Sequence, residues 1–194
     1  MALNNCYQRM ETDVYNDCRD SYGKGLAPRA YYVARDDIDF NTSTIDGNVI
    51  TKLALDSGAK AVRFNMPSRT PYNGAKNEDQ NAAIGIAVNK TVPIILLADS
   101  PENARKIETL KSQQGVVIVE NNAKGDKGKQ AFVVVGWEQG VYGQNAIIDK
   151  YSDDTQGGWS IDLIEEGAKT PQIFLWMTDY ETTKKALESM CNAE

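Results

Sequence analysis

Gly115–Gly167 reads GVVIVENNAKGDKGKQAFVVVGWEQGVYGQNAIIDKYSDDTQGGWSIDLIEEG. Two apolar runs, Val116–Glu120 and Ala131–Val135, flank the polar stretch AKGDKGK at 123–129. Short runs rich in β-branched residues and bounded by Gly, Asn and Asp are strand signals, and a glycine-rich turn joins such runs as a hairpin. The second run ends in Gly136-Trp137-Glu138-Gln139-Gly140. A segment of irregular polarity follows, with a short strand predicted at Ala146–Ile148. Gly157-Gly158-Trp159 then opens a further strand, Ser160–Ile164. Strands that succeed one another through short turns favour antiparallel pairing, so the stretch predicts a β-sandwich or barrel.

Upstream, Ser100–Gln113 carries the clearest helix signal. Ser100 suits the N-cap, Pro101 the first helical position, and Glu102 the positive end of the helix dipole. Ala104, Ile107 and Leu110 fall on one face, and Gly115 stops the helix. Before it, Ala82–Val88 and Val92–Ala98 read as two strands around Asn89-Lys90. Pro93 suggests an edge or a strand start. Arg29–Arg35 is the first predicted strand. Asn48–Leu55 and Ala59–Met66 alternate and predict a hairpin around Asp56-Ser57-Gly58. Pro67–Gln80, with two prolines and an Asn-Gly, reads as a long exposed loop. Met1–Pro28 has tyrosines at 7, 15 and 22 without period and reads as an extended arm. Downstream, Ile173–Trp176 is a strand. Thr178 and Glu181 have capping-box spacing for a helix to about Cys191, with Ala186, Leu187, Met190 and Cys191 toward the core. The whole predicts a β-dominated α+β protein, an antiparallel sandwich or barrel with two flanking helices. The arm, residues 1–28, precedes a single domain, residues 29–194.

Composition narrows the function. The chain has 194 residues and a net charge of −6, which argues against a groove built to grip nucleic acid. An acidic wall instead repels phosphate and lets DNA slide past. No apolar run is long enough to span a bilayer, and the start, MALNNCYQRMETD, has no basic n-region or apolar h-region. The expectation is synthesis in a cytoplasm and no membrane partner. There is no histidine, which removes Ser-His-Asp and Cys-His nucleophiles and His-ligated zinc. The three cysteines, Cys6, Cys18 and Cys191, are too few for a four-thiolate metal site and read as reduced thiols.

Individual motifs point the same way. Lys124-Gly125-Asp126-Lys127-Gly128-Lys129 lacks P-loop spacing and leads into a strand, so it reads as a solvated hairpin tip. Its lysines are expected at a subunit rim, facing acids such as Asp153 and Asp154 of a neighbour. Asp149, Asp153 and Asp154 do not follow an EF-hand and read as a solvated acidic turn. Glu165 and Glu166 are adjacent on a strand and point to opposite faces, so they cannot act together on one atom. Trp137, Trp159 and Trp176 suit core or interface packing better than a stacking platform. No catalytic, cofactor-binding or metal-ligating residue is expected, and no cofactor.

The order of these motifs resembles a known family. Gly25-Leu26 precedes the first strand, and a hairpin, a long polar loop and a helix follow. Then come GVVIVENN, FVVVGWEQG and GGWSIDLIEE. Across Gly25 to Trp176 this is similar to phage tail-tube-like proteins of gut Bacteroidetes phages, including the neck and tail ring proteins of crAss-like podophages. The likeness rests on glycines, strands and a helix, with no invariant chemistry. It implies a tail-tube type of sandwich or barrel whose copies join edge to edge, so that their strands form one inner barrel around a lumen. The homo-oligomeric ring would be six-fold in a long tail or twelve-fold in a short-tailed neck. Met1–Pro28 and Pro67–Gln80 would reach an adjacent ring, adaptor or portal-complex protein. The implied function is a structural virion protein and conduit for genome ejection, made in the host cytoplasm, through which DNA transits without specific binding. The rival reading is a small β-sandwich module recognising a carbohydrate or protein partner. A carboxylate-only enzyme is a weaker third.

Overall fold

A computed structural model of the chain describes residues 25–65, 76–79 and 87–192. The expected arm up to residue 24, most of the loop Pro67–Gln80 and most of the run Ala82–Val88 lie outside the described residues. The strands are β1 (Leu26–Ala34), β2 (Thr44–Asp46), β3 (Val49–Lys52), β4 (Val62–Asn65), β5 (Lys76–Asp79), β6 (Val88–Leu96), β7 (Gly115–Asn121), β8 (Phe132–Val135), β9 (Tyr142–Ile148), β10 (Trp159–Ala168) and β11 (Ile173–Leu175). The helices are α1 (Pro101–Ser112) and α2 (Tyr180–Cys191).

The protein is an α+β sandwich in three layers. A seven-stranded sheet, in the order β2-β3-β11-β8-β7-β1-β4, faces a four-stranded sheet, β5-β6-β10-β9. Between them Tyr32, Val117, Val119 and Val133 meet Val92, Ile94, Ile161 and Leu163, with Ile107 and Leu110 of α1 filling one side. On the far side of the larger sheet, Leu187 of α2 packs with Tyr31, Ile50, Ile118, Val134 and Leu175. Both faces of β7 are therefore covered, which is why its run GVVIVE shows no alternation and is buried throughout. At about 25 cal/mol per Å² of apolar area removed from water, these two clusters are the main stabilising term.

Several local expectations stand and others are corrected. The β7–β8 hairpin forms as expected. Ser100 caps α1 by accepting from the Asn103 amide at 3.2 Å. The expected hairpin across residues 48–66 does not form. β3 pairs instead with β2 through the two-residue turn Gly47-Asn48, while β4 pairs with β1. Gly47 at φ +59 supplies the left-handed turn position, and two residues match the twist of paired strands better than a longer loop. The sheet is not wholly antiparallel, because β11 runs parallel to β3. Four residues of the expected loop 67–80, Lys76–Asp79, form the edge strand β5. No break occurs at Asn89-Lys90, since β6 runs unbroken and Lys90 is buried opposite Glu165. The α2 cap is Asp179 and not Thr178, its carboxylate accepting from the Thr182 amide at 2.8 Å. Finally, β1 begins at Leu26, within the stretch read as arm.

Candidate functional site

The four-stranded sheet has two unlike faces. The inward phase, Val88, Lys90, Val92 and Ile94 on β6 with Ile161, Leu163 and Glu165 on β10, is buried. The register sets Lys76 and Glu78 of β5, Asn89 and Thr91 of β6, Asp162 and Glu166 of β10, and Tyr142 and Gln144 of β9 on the other face. No described element packs over that face. It carries one lysine, Lys76, against the carboxylates Glu78, Asp162 and Glu166. Two of the acids are held by β9 amides: Asn145 Nδ2 donates to Asp162 at 3.1 Å and Gln144 Nε2 donates to Glu166 at 3.0 Å. Glu165 and Glu166 indeed lie on opposite faces, one buried and one exposed.

The inward acid organises the turn that the sequence marks as GWEQG. Glu165 Oε2 accepts from the Gly136 amide at 2.9 Å, and Oε1 accepts from the Glu138 and Gln139 amides at 3.0 Å each. The Lys90 ammonium stands 3.2 Å from the same carboxylate, off hydrogen-bond geometry, and both side chains are essentially inaccessible. Gly136 sits at φ +95, and a Cβ there would come 2.6 Å from the Gly115 carbonyl oxygen. Glu138 points the other way and accepts from the Lys169 and Thr170 amides and the Thr170 hydroxyl. Burial pushes the Glu138 carboxyl up, but these hydrogen bonds, led by the Thr170 hydroxyl, outweigh it and hold it below the usual range. The Lys90–Glu165 pair was not anticipated from the sequence. Its signal was an ionisable residue in phase with Val88, Val92 and Ile94 on one strand and another in phase with Ile161 and Leu163 on the next.

The remaining sequence candidates do not converge. Lys124–Lys129 is the largely exposed turn of the β7–β8 hairpin, as expected, and two of its lysines are also engaged within the subunit. Lys124 pairs with Glu120 and lies over the Tyr180 ring, Lys129 lies over Trp176, and the Trp176 indole donates to the Lys127 carbonyl at 3.2 Å. Trp137 packs on Phe40 with ring centroids 5.0 Å apart, and Trp159 packs on the core between the sheets. The three indoles thus serve three separate places. Asp149 accepts from the Tyr151 amide, and no cluster of metal-ligating side chains exists among the described residues. Cys191 is half-buried, burial pushing its thiol up, while Cys6 and Cys18 lie outside the described residues. A further tie joins β1, β4 and α2: the Glu188 carboxylate accepts from Arg29 at 2.7 Å, from the Tyr31 hydroxyl at 2.9 Å, and from Arg63.

One cleft opens at the end of the layer between the sheets. It encloses about 470 Å³ and is walled by Tyr32, Phe64, Ile94, Leu96 and Leu110, with Glu102, Arg105 and Lys106 of α1 along its rim. The Tyr32 hydroxyl is buried without a hydrogen-bond partner, and burial raises it to about 12. No helix among the described residues is long and apolar enough to cross a membrane. No family model, curated protein or solved structure matches the chain.

Proposed function

We propose that the chain is a structural, non-enzymatic subunit of a phage virion. It closes head to tail into a homo-oligomeric ring of the tail or neck, and the genome leaves the capsid through the lumen. Adjacent rings and adaptor or portal-complex proteins are its partners. The observation that carries this reading is the four-stranded sheet, over whose outer face no described element packs and whose outermost strands among the described residues are β5 and β9. Every neighbouring pair in it is antiparallel, so β5 and β9 run in opposite directions. A rotated copy can lay its β5 beside β9 and keep the alternation unbroken around a closed barrel. Closure also removes edges that would otherwise recruit other chains indiscriminately. The wall so formed has more carboxylates than lysines, and Asp162 and Glu166 are fixed in place by β9 amides. Such a surface repels phosphate and gives a polyanion nothing to adhere to.

Native mass spectrometry and negative-stain imaging of the purified protein test the reading. The expected result is a closed ring with a single copy number, six or twelve. A protein that stays monomeric at its highest soluble concentration, alone and on a preformed neck, removes the ring. The lumen makes a separate prediction. A gel-shift titration with duplex DNA at physiological salt is expected to show no complex at about micromolar protein. Submicromolar binding that weakens steeply with salt would turn the conduit into a DNA-gripping protein.

A further inference from the structure

The cleft and the β9–β10 turn lie at the same end of the four-stranded sheet, the cleft bordering β6 and α1 and the turn joining β9 to β10. Leu96, Trp159 and Ile148 share one register row across β6, β10 and β9. The cleft opens beside Ile94–Leu96 on the β6 side, and the described part of β5 pairs no further along β6 than Thr91. The turn, residues 149–158, joins β9 to β10. It presents Tyr151 at 96% exposure, by far the most exposed large hydrophobic side chain among the described residues. No described residue covers that ring, and the cleft, at about 470 Å³, is wide enough for an aromatic side chain.

The charges match as well. Asp153 and Asp154 beside the tyrosine are exposed and make no ion pair among the described residues. Lys150 of the same turn is already taken by Asp99. At the cleft rim Lys106 is paired to Glu102 at 2.7 Å, which leaves the Arg105 guanidinium with no carboxylate partner among the described residues. An acidic knob with no ion pair among the described residues thus shares one sheet end with an apolar hole rimmed by an arginine that has none there either. Two different surfaces of this kind suit a head-to-tail contact, since an isologous dimer would need one surface complementary to itself.

Resting on the ring reading, we infer that Tyr151 of one copy seats in the cleft of the next. There it packs on Phe64, Ile94 and Leu110, with the Tyr32 hydroxyl at the wall, while Asp153 and Asp154 meet Arg105. Tyrosine and arginine are the residue types that dominate interface energies when buried at the centre of a contact. Arg105 takes the part that charge patterning alone would give Lys124, Lys127 and Lys129, since Lys124 and Lys129 are engaged within their own subunit.

The test has two arms. In the first, benzoylphenylalanine replaces Tyr151 and an equal mixture of isotopically light and heavy protein is irradiated. Crosslinks are expected between chains, to residues 62–65 or 101–113. In the second, Tyr151→Ala and Arg105→Glu are each expected to raise the concentration needed for assembly about tenfold or more, without moving the melting curve of the monomer. Combining Arg105→Glu with Asp153→Arg and Asp154→Arg is expected to recover most of the loss. If the wild type forms rings, Tyr151→Ala assembles at the same concentration, and crosslinks fall elsewhere, the contact is wrong and the ring stands. A wild type that neither assembles nor crosslinks between chains removes the ring and this contact together.

Discussion

Glu165→Ala is expected to lower the free energy of unfolding by about 3–5 kcal/mol and the Tm by about 10 °C. The substitution does two things at once. It leaves the Lys90 ammonium, 1% exposed, without its counter-charge. It also strips the acceptor from the Gly136, Glu138 and Gln139 amides, which have no strand partner in that turn. An orphaned buried donor costs about 1–3 kcal/mol where water cannot replace the partner, and the part-buried Glu138 and Gln139 amides can recover water, which keeps the total in the expected range. Against a total stability of about 5–15 kcal/mol, this is a large share. Lys90→Met is expected to cost roughly half as much, because the carboxylate left behind still accepts three amide hydrogen bonds. Glu165→Gln combined with Lys90→Met removes both charges and keeps one acceptor oxygen, so the double variant is expected to be more stable than Glu165→Ala. Urea unfolding with an unchanged slope is the measurement. If Glu165→Ala lies within about 1 kcal/mol of wild type, the pair does not hold the turn.

Legibility in this sequence follows how local the deciding interaction is. α1 could be read because its cap, its first-turn proline and its apolar face lie within fourteen residues, Ser100 to Gln113. The β7–β8 hairpin could be read because both strands are buried on two faces and the turn between them is rich in glycine. By contrast, the partner of β3 on one side is β11, more than a hundred residues away, and no local pattern announces a parallel neighbour. β5 reads as loop because all four of its side chains are exposed and polar, and only its pairing with β6 makes it a strand. Lys90 looked like a turn residue for a related reason. A lysine between apolar runs is ordinarily solvated, and it is the acid opposite, 75 positions on, that allows it to be buried. The cleft is the extreme case. Its walls come from β1, β4, β6 and α1, and no one of those segments is concave. The glycines of GWEQG were visible as punctuation, but the carboxylate that the turn encloses was not.

Leu187→Ala is expected to cost about 2–5 kcal/mol, and to do so without changing how copies meet. Leu187 is fully buried where α2 crosses the outer face of the seven-stranded sheet, against a cluster that includes Ile50, Ile118, Val134 and Leu175. Truncation leaves a cavity that the flanking sheet is poorly able to close, because β7 and β8 are pinned from the other side by the core between the sheets. α2 reaches the cleft wall through Glu188, which binds Arg63 of β4, and not through Leu187, which packs into the cluster on the sheet's outer face. A loss of subunit stability should therefore appear in the melting curve and be absent from the assembly concentration, provided both are measured well below the lowered Tm. Arg105→Glu is expected to show the opposite pattern, with an unmoved melting curve and impaired assembly. The two variants together separate a subunit that cannot fold from one that cannot close. If Leu187→Ala abolishes assembly at a temperature where its monomer is still fully folded, the outer face of the seven-stranded sheet is part of the contact, and a ring built on the four-stranded sheet alone is wrong.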